Sequence, residues 1–413
     1  MFSRRTSWDL TPNGFSRALE AHRQAGREVL DLTLSNPTQA GLRYNQPAIL
    51  KALADPGALV YAPDPKGLVS ARAAVAEYYA GIGHSFSRQG SSQFRPGLDS
   101  IVLTVSTSEA YSFLFRLLCE PGDEVLVPTP SYPLFEFLAD VQDVKLIPYA
   151  LLYDHGWHID VPSLETLVNE RSSAILLVHP NNPTGSYVKP AEEEELNRIC
   201  AERELALVVD EVFLDYTIGE DSLVLGRPLP TDTASMARVS SFVFNHGALT
   251  FTLSGISKLS GLPQMKLAWI VVSGPAELAA PALARLEVIA DTYLSLSTPI
   301  QLAAPALLAQ GAAIRQQLRR RIRTNLCRLD RELANQKLCS RLELEGGWYV
   351  ILRVPATRSD EELAIALLKT EGVLAQPGYF YDFSGEGHLV LSLITPEETF
   401  AEGANKLLRF VCA

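Results

Sequence analysis

The chain lacks any cysteine arrangement that could organise a fold. Its five cysteines, Cys119, Cys200, Cys327, Cys339 and Cys412, are odd in number and widely spaced, and no C-x-x-C occurs. That argues against a disulfide framework or a zinc site and for a reducing, cytoplasmic setting. No run approaches the roughly 20 apolar residues of a membrane span. The two arginines of MFSRRTSWDLTPNGF are followed by no apolar stretch of the kind a secretory leader carries. The seven histidines show no metal-ligand spacing, so no metal site is expected. A net charge of −11 disfavours nucleic acid and anionic membrane as partners, while leaving room for a small anionic ligand held by local donors. No internal repeat or low-complexity tract is present, and no helix-turn-helix or basic arm precedes residue 30.

What is present is an ordinary globular composition, 47% hydrophobic and 20% charged, in a chain of 413 residues that is too long for one simple core. From about residue 100, short apolar runs alternate with helical spacing. IVLTV, PGDEVLVP, VKLIPYA, SAILLVH, LALVVD, LTFTLS and LAWIVVS read as strands, and EAYSFLFRLL and AEEEELNRICAERE as intervening helices. Such alternation predicts an α/β fold, a mainly parallel sheet sandwiched by helices. Beyond about 275, long helical stretches lead into a mixed region with WYVILRV and HLVLSLI, a smaller α+β lobe. The expected division is an N-terminal segment, 1–54, packing on the small lobe; a large domain, 55–295; and an interdomain helix with the small C-terminal domain, 296–413.

Ligands of a doubly wound sheet bind outside the carboxyl ends of its strands. Several chemistry-bearing residues fall there. Ser106, Thr107 and Ser108 follow IVLTV and open a helix; Asn182 lies in HPNNPTG; Asp210 ends LALVVD; Lys258 follows LTFTLS. Singly, each has an ordinary explanation: a solvated lysine, a capping aspartate, a turn asparagine, an N-cap cluster. Together they suit pyridoxal 5′-phosphate. A desolvated amine can condense with its aldehyde, a carboxylate can pair with its ring nitrogen, an amide can donate to its ring oxygen, and a helix start can hold its phosphate.

In order, LDLTLSNPT (30–38), YAPDPKGLVSARAAVAEYY (61–79), VPTPSYP (127–133), HPNNPTG (179–185), VVDEVFLDY (208–216), GISKLSGLPQMKLAW (255–269) and EGGWYVILRVP (345–355) span nearly the whole chain. It resembles the class I/II aminotransferases of the fold type I pyridoxal-phosphate enzymes. The resemblance implies that Lys258 is the Schiff-base lysine and the proton-moving base. It implies that Asp210 pairs with the ring nitrogen, that Asn182 meets the ring oxygen, and that Tyr132 stacks on the ring. Ser106, Thr107, Ser108 and Lys266 would bind the phosphate. Tyr61 matches a tyrosine that reaches the phosphate across the interface of a homodimer. Asn36 and Thr38, in the SNPTQAG loop, are candidate substrate contacts.

The chain departs from the family pattern at four positions. Lys266 replaces an arginine, Gly255 a serine and Phe213 a tyrosine that donates to the ring oxygen. Val390 stands where an arginine usually grips the substrate's α-carboxylate; Arg353 and Lys66 are candidate replacement cations. The expected activity is transfer of an amino group between an amino compound and a 2-oxo acid. The alternatives are a C–S β-lyase or decarboxylase on the same fold, and a non-catalytic ligand sensor.

Overall fold

The computed structural model describes residues 1–86, 95–132, 135–218 and 240–412. Pro133, the last residue of VPTPSYP, lies outside the described residues. The chain begins with α1 (Gly14–Gln24), β1 (Leu30–Asp31), α2 (Gln46–Leu53) and α3 (Val69–Phe86). Eight strands then build one sheet: β2 (Ile101–Thr104), β3 (Glu124–Thr129), β4 (Lys145–Tyr153), β5 (Trp157–Ile159), β6 (Ser172–Val178), β7 (Ala206–Asp210), β8 (Thr250–Gly255) and β9 (Ala268–Ser273). Their order is β2-β9-β8-β7-β6-β3-β4-β5.

The strands from β4 through β3, β6 and β7 to β8 pair in parallel. LAWIVVS is the exception, since β9 runs antiparallel to both β2 and β8. The connection 256–267 holds a one-turn α-helix and a three-residue 3-10 turn, with no longer helix to carry the chain back across the sheet for a parallel return. At the far edge β5 folds back on β4 as an antiparallel hairpin.

Helices α4 (Thr107–Leu118), α5 (Phe135–Asp140), α6 (Val161–Leu167), α7 (Pro190–Arg203), α8 (Ile256–Leu259) and α9 (Ala276–Tyr293) connect or cover these strands. Central strands are apolar on both faces, and period-two alternation sorts their side chains between two cores. Ala206 and Val208 of β7 join Ala174 and Leu176 of β6 under α4 and α9. Leu207, Val209, Ile175 and Leu177 face the other way, against Leu196 and Ile199 of α7. Each fully buried Leu, Ile or Val here contributes about 1.5–3 kcal/mol.

Helix α10 (Thr298–Ala334) leads to β10 (Ser340–Arg341), β11 (Tyr349–Arg353), α11 (Asp360–Glu371), β12 (Val373–Leu374), β13 (Gln376–Pro377), β14 (His388–Ser392) and α12 (Glu397–Cys412). β10, β11, β14 and β13 form an antiparallel sheet in that order. β12 pairs in parallel with β1, and Phe15 N–H donates to Glu361 at 3.1 Å, so the N-terminal segment lies against this lobe. Among the described residues, no helix is long and apolar enough to cross a membrane.

Candidate active site

The parallel strands β6, β7 and β8 end at the same sheet edge, and the chemistry gathers there. Alternation along β7 carries Asp210 to the α4 face, after Ala206 and Val208. Its buried carboxylate accepts the Val212 N–H on Oδ1 at 3.0 Å and the Tyr111 hydroxyl on Oδ2 at 3.0 Å. Burial pushes its pKa up to about 6, against the pull of those two donors and of Lys258.

Lys258 sits in α8, directly after β8. Its amine has one hydrogen bond among the described residues, a long one of 3.4 Å to the Ser35 carbonyl. The nitrogen lies 4.9 Å from the centre of the Trp348 ring and 5.7 Å from that of Phe213. Burial pulls its pKa down to about 8, opposed by the Asp210 charge. The lysine's own carbonyl accepts the Tyr216 hydroxyl at 2.6 Å, and Arg315 donates to the Leu259 carbonyl at 3.1 Å. Tyr216 therefore fixes the backbone of Lys258 and does not replace the hydroxyl missing at Phe213.

Asn182 is buried with its amide oxygen unpartnered. Its turn is held by Asn181, which donates to the Pro130 carbonyl at 3.0 Å and to Thr184 Oγ1 at 2.9 Å. Gly185 closes the turn at φ +68°, and a Cβ there would overlap Leu344 and the Gly346 carbonyl.

At the start of α4 the Ser106 Oγ accepts the Glu109 N–H at 3.1 Å, and Glu109 returns an oxygen to the Val105 N–H at 2.9 Å. The Thr107 and Ser108 hydroxyls have no described partner. Tyr132 is 43% exposed, with its ring edge-on to Phe135; desolvation of its hydroxyl, and then the Asp210 charge, raise its pKa. Lys266 is exposed and takes a left-handed φ of +52°. Tyr61 is 80% exposed, beside the equally outward Leu59 and Val60. Asn36 Oδ1 accepts the N–H and hydroxyl of Thr38 at 3.0 and 2.8 Å, next to the Ser35 carbonyl that meets Lys258.

Two departures have physical reasons. A Cβ at Gly255 would stand 2.9 Å from both Ala268 Cβ and the Leu267 carbonyl, so the β8–β9 pairing leaves no room for serine. Val390 is fully buried on β14, opposite Ile351 and Gln376, and the Gln376 amide takes the Tyr381 hydroxyl. The amine of Lys66 lies between Asp99 at 3.5 Å and Glu287 at 3.6 Å, so its charge already has two acidic neighbours. Arg353 is exposed on β11, across from His388.

The sequence reading missed Tyr111 and Trp348. Tyr111 lies one helical turn beyond Thr107, a spacing that puts both on one side of α4. His179 is a satisfied core residue: Val188 N–H donates to its Nδ1 at 3.1 Å, and burial lowers its pKa to about 3.

Known proteins carry the same architecture. An alanine aminotransferase from Pyrococcus furiosus superposes with a TM-score of 0.82 at 22% identity, covering all of both chains. An aspartate aminotransferase from Thermotoga maritima gives 0.77 at 21%, again over both complete chains. In sequence, the glutamate-pyruvate aminotransferase AlaA of Haemophilus influenzae is 24% identical over 399 residues, covering 94% of this chain and 92% of its own. The family described as aminotransferase class I and II matches residues 27–407. A match of that length, on a fold whose sheet edge carries the site above, makes this chain a member of the class I and II aminotransferases.

Proposed function

We propose that the protein is a pyridoxal-phosphate-dependent aminotransferase in which Lys258 and Asp210 are the catalytic pair. The observation that carries this is an amine with a single long hydrogen bond just after β8, beside the buried carboxylate that ends the neighbouring strand β7, and burial lowers the amine's pKa. The surroundings fit the cofactor: the Asn182 oxygen is orphaned, the Lys258 amine has only a long bond, and Thr107 and Ser108 are unspent at a helix start.

When bound, the cofactor supplies an aldehyde for amines and an electron-poor ring that stabilises negative charge at the reacting carbon. Lys258 Nζ would serve as the base that moves a proton at the reacting carbon, and Asp210 would keep the ring nitrogen protonated. The Asn182 amide nitrogen would donate to the ring oxygen, and Tyr132 would cover the ring. Ser106, Thr107, Ser108 and Lys266 would hold the phosphate, joined by Tyr61 of the partner subunit in a homodimer. The exposed Leu59, Val60 and Tyr61 support that dimer. The pairing of β1 with β12 supports the division into an N-terminal segment, a large domain from 55 to 295, and a terminal lobe. Five free cysteines support a cytoplasmic setting.

The names of the relatives suggest glutamate, alanine and pyruvate as first substrates. Asn36 and Thr38 border the place the substrate enters. The test is a donor screen on cofactor-loaded protein, pairing amino acids with their decarboxylated amines and following oxo-acid-dependent amino transfer. Failure of every donor ends the proposal. Pyruvate and ammonia released without an oxo acid would favour β-elimination instead, the reaction that buried Val390 leaves in contention.

A further inference from the structure

Asp210 is held by a side chain that reaches it from another element. Tyr111 lies in the second turn of α4, and its buried ring packs edge-on against Phe135 at 5.3 Å and tilted against Phe115 at 6.1 Å. Among the described residues its hydroxyl bonds only to Asp210 Oδ2, at 3.0 Å. A phenol donating to a carboxylate makes a charge-assisted bond, roughly twice as strong as a neutral one. The other oxygen is fixed by the Val212 N–H. One donor comes from the loop after β7 and the other from α4, so the carboxylate plane is set from two independent directions. The same helix is capped by Ser106 and begins with Thr107 and Ser108. One rigid helix thus governs both the anion-binding end of the site and the carboxylate at its floor.

We propose that Tyr111 is a positioning residue: its hydroxyl fixes the Asp210 carboxylate and keeps it charged where the cofactor's ring nitrogen meets it. The inference rests on the proposed cofactor chemistry and adds to it a residue outside the strand ends. The charged and titratable groups around Asp210 are Tyr111 on α4, Lys258 on α8, Tyr132 after β3 and the adjacent Glu211. Glu211 is itself pushed up to about 8 by burial, while Ser241 and the Phe242 N–H hold it. Its charge is disfavoured by burial and tied to donors separate from those that hold Asp210. Burial favours the protonated acid at Asp210, and the phenol opposes it. Without the hydroxyl, Asp210 gains its proton at a higher pH and the ring nitrogen loses its ionic partner there. The defect grows as pH falls and closes as pH rises.

The experiment compares wild type with Tyr111→Phe, which keeps the ring packing. Pyridoxal-phosphate dissociation constants are measured by absorbance between pH 6 and 9, with circular dichroism to verify the fold. Cofactor binding by Tyr111→Phe should be about tenfold weaker at pH 6 and within about twofold of wild type at pH 9. In an Asp210→Asn background the same change should add less than about twofold at any pH. Tyr111→His, which keeps a ring donor, should show a smaller low-pH defect than Tyr111→Phe, and it serves as the test variant if the latter fails to fold. A weakening equal at all pH values, or one that persists with Asp210→Asn, would reduce Tyr111 to packing and overturn the inference. A wild type that binds no pyridoxal phosphate at any pH would instead refute the cofactor chemistry, and this inference with it.

Discussion

The two walls of the cleft are built from different materials. The wall from the large sheet carries charge and hydrogen-bonding groups at successive strand ends: Asn182 after β6, Asp210 at the end of β7 and Lys258 after β8. The wall from the small lobe is aromatic, with Trp348 and Tyr349 on β11 or just before it, and buried Val390 at its back. The first wall departs from the family pattern at Gly255, Phe213 and Lys266 but keeps its three polar strand ends; the second carries Val390 in place of its arginine. The difference has a physical source. Parallel strand ends bring polar groups together at one edge of the sheet, whereas the antiparallel lobe sheet packs large apolar and aromatic side chains into its core.

Several experiments would break or sharpen that contrast. Lys258→Ala should lower kcat by at least about 10³-fold, the range expected for losing a general base. A variant retaining a tenth of the rate would deprive the charged wall of its centre. Val390→Arg should destabilise the protein by about 3 kcal/mol or more, because it buries a cation with no acid to pair with. A fold that tolerates it, read from urea melts, would mean the aromatic wall still has space for a guanidinium.

Asp210→Asn should cut kcat/KM by about 10²-fold and yet stabilise the cofactor-free chain. The sign follows from a folded-state pKa raised from 3.8 to about 6. The ionised acid is disfavoured in the fold, so that penalty is fully present above about pH 6 and vanishes below the unfolded value. The asparagine variant should gain up to about 3 kcal/mol at pH 8 and nothing below about pH 3. A gain independent of pH would contradict the burial argument. Gly255→Ser should cost about 1–3 kcal/mol through overpacking against Ala268, measurable as a lowered denaturation midpoint. The smallest effect is kinetic: uptake of pyridoxal phosphate by the cofactor-free chain should quicken as pH rises through about 8, where Lys258 becomes neutral.

Much of the charged wall was legible in the sequence, because strand ends can be found from apolar runs and their polar termini. Lys258, Asp210 and Asn182 were all reachable that way, and so was the mostly parallel sheet. The reversal of β9 was not, since LAWIVVS has the same apolar run as a parallel strand and only the length of its connection distinguishes it. Tyr111 was hidden for a related reason. EAYSFLFRLL announces a helix with an apolar face, and nothing local says that one hydroxyl on that face meets a carboxylate 99 residues away. The pairing of Leu30–Asp31 with Val373–Leu374 is too short to leave a periodic signal.

The 37-residue α10 acts as a driveshaft through both lobes. At 1.5 Å per residue it is about 55 Å long. Near its middle Arg315 donates to the carbonyl of Leu259, the residue after Lys258 at the end of α8, and three turns on Asn325 clasps the carbonyls of Leu393 and Thr395 at 2.9 and 2.8 Å. Any swing of the terminal lobe must therefore twist or bend this shaft. The amine's resting place and the lobe's hinge angle become mechanically geared, and amide exchange along α10 should register cofactor loading over its whole length.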